Sequence, residues 1–204
     1  MKKEIYFITA TNTDIGKSYA SEILLKKFAK DGKKVGYFKP IETGVLDLPL
    51  DGSKLLDVTK KLNKDFDFTI DDIVPYQFSL PAAPFVAKGE SQIDIEFILQ
   101  KAKELLKKCD ILVVEGAGGL MVPIEVDYFM VDLIKDFQNK LSSKTILISP
   151  SNLGSINDTL LSQKVLEQYS IDYEWYINLY KDKDQFKITT LPFYKEYFDK
   201  ISFI

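Results

Sequence analysis

One short run limits what this chain can fold into more than any other. Ile5-Tyr6-Phe7-Ile8-Thr9 has the apolar, β-branched and aromatic character of a buried strand, and a polar turn follows it, Ala10-Thr11-Asn12-Thr13-Asp14-Ile15-Gly16-Lys17-Ser18. From about residue 17 to 30 the apolar positions Ile23, Leu24 and Phe28 fall at helical spacing. Strand, loop and helix in that order let successive backbone N–H groups wrap phosphate oxygens at the positive end of a helix. A loop ending Gly-Lys-Ser in this setting is a P-loop, in which Lys17 reaches the β- and γ-phosphates and Ser18 offers its hydroxyl to Mg²⁺. The usual opening glycine is replaced by Ala10, which is still small enough for a tight turn. Gly-Lys-Ser without a strand before it and a helix after it would be an accident of composition; the setting makes it a nucleotide site.

The alternation continues along the chain. Strand-like runs at 35–38, 111–114, 145–148 and 175–177 are interleaved with helical patterns near 55–62, 93–107, 131–140 and 157–169. Repeated strand–helix units imply right-handed crossovers and an α/β fold of the P-loop NTPase type. Its mostly parallel sheet is flanked by helices on both faces, and ligands bind beyond the carboxyl ends of the strands. With 204 residues, 46% of them hydrophobic, one core is enough, and residues 1–204 are expected to form a single domain. Residues 47–51 and 63–72 are polar enough to be mobile loops. Trp175, Tyr176 and Tyr180 read as core packing rather than a stacking platform, and 193–204, with Tyr194, Tyr197, Phe198 and Ile201, as an amphipathic helix on the sheet.

Composition removes whole classes of chemistry. With no histidine, Ser-His-Asp triads, His-ligated zinc and phosphohistidine relays are excluded. Cys109 is the only cysteine, so it can form neither an intrachain disulfide nor a Cys-only metal cluster, and it reads as structural. A formal net charge of −3 provides no basic field for nucleic acid or anionic lipid, and neither is expected as a partner. Met1-Lys2-Lys3-Glu4 leads into the first strand without a signal-peptide pattern, and no apolar run approaches a membrane span, so a cytoplasmic location is expected. Catalysis falls to lysines, carboxylates, hydroxyls, backbone and metal.

Two further segments carry that chemistry. Glu115-Gly116-Ala117-Gly118-Gly119 directly follows the apolar run Ile111-Leu112-Val113-Val114. A carboxylate at a strand end can bind the metal that a P-loop requires, directly or through water, and the glycines admit a ligand close to the backbone. Lys39, with Pro40 and then Thr43-Gly44, follows the second strand and brings an ammonium and a hydroxyl to the same rim as the P-loop.

Thr11-Asn12-Thr13-Asp14-Ile15-Gly16-Lys17-Ser18, Lys39-Pro40-Ile41-Glu42-Thr43-Gly44 and Val114-Glu115-Gly116-Ala117-Gly118-Gly119 occur in the order seen in dethiobiotin synthetases, and the chain resembles that family. Ala82-Ala83-Pro84, Asn152-Leu153-Gly154-Ser155-Ile156-Asn157 and Asn178 extend the likeness over nearly the whole length. The resemblance implies an ATP- and Mg²⁺-dependent enzyme that closes 7,8-diaminononanoate and CO₂ (or bicarbonate) into a cyclic urea. It further implies that Thr13, Asp14, Ile15, Gly16, Lys17, Ser18 and Tyr19, with Glu115, Gly116, Ala117 and Gly118, hold the nucleotide. Asn178 would read adenine, and Leu191 and Pro192 would line the base pocket. Ser18 and Glu115 would bind Mg²⁺, with Asp51 as the best match for a further metal ligand and Asp47 competing on the same segment. Lys17 and Lys39 would be the catalytic cations, and Lys39 and Thr43 would lie near the reacting diamine. Gly154, Ser155, Ile156 and Asn157 would receive the substrate carboxylate across a homodimer interface. Glu42 departs from the family's usual residue.

Two other readings compete. A partitioning or cell-division ATPase would normally carry an extra lysine early in the loop, where this chain has Thr11-Asn12-Thr13, and would need a membrane-binding tail or a basic patch. An amide-forming synthetase of the cobyrinate type would need an ammonia source, and no Cys and His pair exists to supply one.

Overall fold

The computed structural model describes residues 3–180 and 183–204; Met1 and Lys2, part of the chain start read above, and Lys181 and Asp182 lie outside the described residues. In chain order the elements are β1 (Glu4–Ala10), α1 (Lys17–Lys30), β2 (Val35–Phe38), β3 (Ile41–Thr43), α2 (Leu50–Leu62), α3 (Ile70–Ile73), β4 (Tyr76–Phe78), α4 (Pro84–Ala87) and α5 (Ile95–Leu105). They continue with β5 (Ile111–Gly119), β6 (Pro123–Glu125), β7 (Tyr128–Phe129), α6 (Met130–Leu141), β8 (Lys144–Pro150), α7 (Ser155–Gln168), β9 (Tyr173–Asn178), α8 (Lys183–Thr189) and α9 (Leu191–Tyr197).

Five strands form one sheet in the order β2-β5-β1-β8-β9, and every pairing in it is parallel. The chain leaves β1 through α1 toward β2, but leaves β5 through α6 toward β8, the opposite direction across the sheet. Right-handed crossovers therefore put α1 and α6 on opposite faces. Packing agrees: α1 lies against α2, and α5 against α6. Coverage on both faces is why β1 and β5 read as near-continuous apolar runs rather than alternating ones; Phe7, Ile8, Leu112, Val113 and Val114 are fully buried. Phe7 meets Phe137 of α6 edge to face at 5.2 Å.

Several boundaries differ from the sequence expectation. The helix expected near 55–62 begins at Leu50, which moves Asp51 from a loop into a first helical turn. Residues 63–72 are not loose: the Asn63 amide donates to the Val35 and Lys108 carbonyls at 2.9 and 3.0 Å, Phe66 is buried, and Thr69 and Asp72 form a reciprocal cap on α3. A local polar pattern cannot reveal partners so distant in sequence. The strand expected at 111–114 runs on to Gly119, where Ala10 pairs with it past a bulge. The tail is helical only to Tyr197; beyond it Phe203 bridges Ile177, extending the edge next to β9. Trp175 packs edge to face on Tyr194 at 5.2 Å and its indole N–H donates to Ser149 Oγ at 2.8 Å, the core role expected of it, whereas Tyr180, expected in the core with it, is exposed past the end of β9.

Candidate nucleotide and substrate site

The P-loop lies beyond the carboxyl end of β1, in the middle of the sheet. Gly16 takes the cap position of α1 with φ +95°, and a Cβ there would fall 2.2 Å from Asn178 Nδ2, so only glycine fits. No side chain caps α1 and no acidic residue sits in its first turn. Its first N–H groups and its positive end are therefore left for an anion. Lys17 is buried and donates to the Asn12 carbonyl at 3.1 Å. Burial, reinforced by the Lys39 charge and only partly opposed by Glu115, pulls its ammonium down to about 8.

Lys39, just beyond β2, meets Glu115 of β5 because these strands are neighbours in register: Phe38 is level with Val114. Glu115 is completely buried and uses both oxygens twice. Oε1 accepts from Ser18 Oγ and Lys39 Nζ, both at 2.8 Å, and Oε2 accepts from Ser21 Oγ and the Tyr37 hydroxyl, both at 3.0 Å. Lys39 also donates to Asp51 Oδ2 at 3.0 Å. Burial alone would lower the Lys39 pKa, but the carboxylates of Glu115, Asp51 and Glu42 outweigh it and hold the ammonium above its ordinary range. Burial pushes the Asp51 carboxyl up, yet Lys39 and the Ser18 hydroxyl leave it below its ordinary value. Lys39 is thus a fixed cation, whereas Lys17 is the more easily deprotonated of the two.

These groups border one cleft of about 730 Å³, a size that suits a small-molecule site. Thr13, Asp14, Gly16, Lys17, Ser18, Lys39, Thr43, Asp51, Glu115, Gly116, Ala117 and Gly118 line it, with the segment Pro81-Ala82-Ala83-Pro84 opposite. Asp47 does not line it. Tyr19 is largely exposed on α1. Asn178 ends β9 and braces the loop, donating from Nδ2 to the Ile15 carbonyl at 3.0 Å, and the Tyr180 hydroxyl donates to the Asp14 carbonyl at 3.0 Å. Leu191 packs into a second apolar cluster around Ile177, Phe186 and Tyr194, with Pro192 exposed beside it. Gly154, Ser155, Ile156 and Asn157 form the start of α7 and lie outside the cleft of their own chain.

Sequence reasoning missed Ser21 and Tyr37. Both were legible in hindsight: Ser21 lies one helical turn after Ser18, and Tyr37 lies two strand positions before Lys39, on the same face.

An open helix start after the central strand, a buried lysine in the loop and a carboxylate on the neighbouring strand define a P-loop nucleoside-triphosphate-binding protein. A family model described as an AAA domain matches residues 4–176. Solved structures that superpose on the chain include the MinC:MinD cell division protein complex of Aquifex aeolicus (TM-score 0.57, 20% identity, 98% of this chain and 80% of that one). A plasmid partition protein of Borrelia burgdorferi also superposes (TM-score 0.54, 16% identity, 100% and 90%). At such identities they establish the fold alone.

Sequence relatives are more specific. An ATP-dependent dethiobiotin synthetase of Sulfurovum sp. is 49% identical over 94% of this chain and 90% of its own length, and one of Helicobacter pylori is 38% identical over 96% and 90%. The chain belongs to the ATP-dependent dethiobiotin synthetase family, and is accordingly an ATP-dependent ligase.

Proposed function

We propose that this protein converts 7,8-diaminononanoate, CO₂ and ATP to dethiobiotin, ADP and phosphate, as a single cytoplasmic domain that pairs into a homodimer. The observation that carries the reading is the convergence of Lys17, Lys39, Ser18 and Glu115 on one cleft that Thr43 and the Ala82-Ala83-Pro84 segment also line. One substrate amine adds to CO₂ and loses a proton, giving a carbamate. A carbamate oxygen attacks the γ-phosphorus and ADP departs. The second amine then attacks the activated carbonyl carbon, phosphate leaves with the former carbamate oxygen, and a proton is released as the ring closes. Positioning and neutralisation of phosphate charge account for most of such catalysis. Lys39 supplies fixed positive charge, Lys17 a second cation that bound phosphate would keep protonated, the α1 start supplies N–H donors, and Thr43 lies where it can orient the diamine.

The donor set fits Mg²⁺. Ser18 Oγ, Glu115 and Asp51 are all-oxygen ligands, and no cluster of three or more His, Cys, Asp or Glu side chains that could hold a metal exists among the described residues. A small hard cation held by one or two carboxylates, with water and phosphate completing its shell, is the ordinary Mg²⁺ arrangement. Bound there, Mg²⁺ neutralises charge on the phosphate oxygens.

Asn178 suits adenine recognition, since it stands at the end of β9 beside the loop that its Nδ2 braces, and Leu191 and Pro192 at the start of α9 are apolar residues that could line a base pocket. The α7 start suits a carboxylate: Gly154 provides no side-chain cap and Ser155 Oγ is buried without a partner. That this site lies outside its own chain's cleft is consistent with its serving a second subunit. No helix among the described residues is long and apolar enough to cross a membrane.

The test is incubation of the purified protein with ATP, Mg²⁺, bicarbonate and 7,8-diaminononanoate, with dethiobiotin followed by mass spectrometry and phosphate release measured with and without the diamine. Matched dethiobiotin and phosphate are expected. Diamine-independent hydrolysis without product would instead favour a nucleotide switch.

A further inference from the structure

Glu42 is a buried carboxylate that the proposed chemistry does not use. Both of its oxygens are committed to the start of α2: Oε1 accepts from the Asp51 N–H at 3.1 Å and Oε2 from the Gly52 N–H at 3.0 Å. Helix α2 has no cap of its own, because its cap residue is Pro49, whose side chain carries no acceptor. The missing cap is supplied from β3, 9 and 10 residues before the N–H groups it receives, by a negative charge at the positive end of the helix dipole. The approach is close. A Cβ on Gly52 would stand 3.2 Å from Glu42 Oε2 and 2.4 Å from Val74 Cγ2, so glycine is what lets the helix start press against β3 and the α3 end.

We propose that Glu42 is a positioning residue, acting through Asp51. The N–H that it holds is the backbone of the residue whose side chain reaches Lys39 and Ser18. Glu42 also lies in the segment that joins Lys39 to Thr43. A shift of the α2 start would therefore move Asp51 relative to both groups. The inference rests on the reading of this cleft as the Mg²⁺–ATP and diamine site.

Glu42→Gln offers one acceptor where two are needed and turns an N–H₂ toward a backbone N–H. It is expected to weaken the Mg²⁺-dependent part of ATP binding, measured by calorimetry with and without Mg²⁺, by about tenfold, the usual scale for removing a residue that orients a ligand. ATP binding without Mg²⁺, which runs through Lys17 and the loop, should not change. Asp51→Asn should show at least as large a loss, and the double variant should be no worse than Asp51→Asn alone, because the two residues act in series. If Glu42→Gln is too unstable to titrate, Glu42→Asp, which keeps the charge but shortens the reach, should give an intermediate loss. Wild-type Mg²⁺ dependence in a folded Glu42 variant, or losses that multiply in the double variant, would overturn the proposal. Failure of the wild-type protein to make dethiobiotin would count against the reaction and leave the Mg²⁺–ATP titrations to decide Glu42.

Discussion

The two ends of the sheet's carboxyl edge are built differently. Beyond β1, β2 and β5 the charged groups hold one another across long sequence separations: Glu115 alone gathers Ser18, Ser21, Tyr37 and Lys39. Beyond β8 and β9 no comparable charged hub exists among the described residues. Ser155 Oγ is buried without a partner and Leu153 is exposed, while Asn178 and Tyr180 reach back to the P-loop. A site that stabilises developing charge benefits from donors fixed before the substrate arrives. A site completed by a ligand or a second subunit has no use for partners of its own. The first end is therefore where substitutions should lower turnover, and the second where they should chiefly raise KM.

Lys17→Ala should have the largest effect, a loss of more than a hundredfold in kcat/KM, since on the proposed reading it removes a buried cation that contacts the phosphates. Lys39→Ala should cost about a hundredfold in kcat with little change in ATP affinity, which steady-state kinetics at saturating ATP and diamine will separate. Near-wild-type turnover in that variant would erase the contrast between the two ends.

The pH dependence of ATP binding should be next in size. Bound phosphate raises the Lys17 pKa above its free value of about 8. The affinity this provides is complete below pH 8 and is lost as pH rises through 8 toward the bound-state value, by at most about tenfold per unit. Calorimetry from pH 7 to 10 measures the slope, and Lys17→Ala should flatten it.

Asn178→Ala should raise the KM for ATP by about fivefold, the worth of one ordinary hydrogen bond, and leave kcat nearly unchanged. An equal fall in kcat would mean that the brace on the P-loop belongs with the first end. The smallest response is expected at Cys109, whose thiol burial pushes up to about 12. It should resist alkylation of the folded protein at neutral pH.

The α/β alternation and the P-loop were legible locally, because strand and helix periods and the Gly16-Lys17-Ser18 ending are short-range patterns. Lys39 and Glu115 were identified as rim residues because each follows an apolar run, and Thr43 because it lies close behind Lys39-Pro40. Asp51 was harder to place, since nothing in Leu48-Pro49-Leu50-Asp51 announces that a helix starts there; its cap comes from Glu42 on another element. The tail was over-read as helix, because Phe203 owes its extended form to Ile177, which a local pattern does not include.

The order of residues along the chain was enough to show which side chains could carry phosphate chemistry and that Lys17, Lys39 and Glu115 each come after an apolar strand run. It took the packed fold to put β2 beside β5, so that Lys39 faces Glu115, and to bring Glu42 to the α2 start, so that Asp51 faces Lys39. The physical reason is that periodicity and turn chemistry act within a few residues, whereas strand order and the pairing of buried charges are set by how the whole core packs.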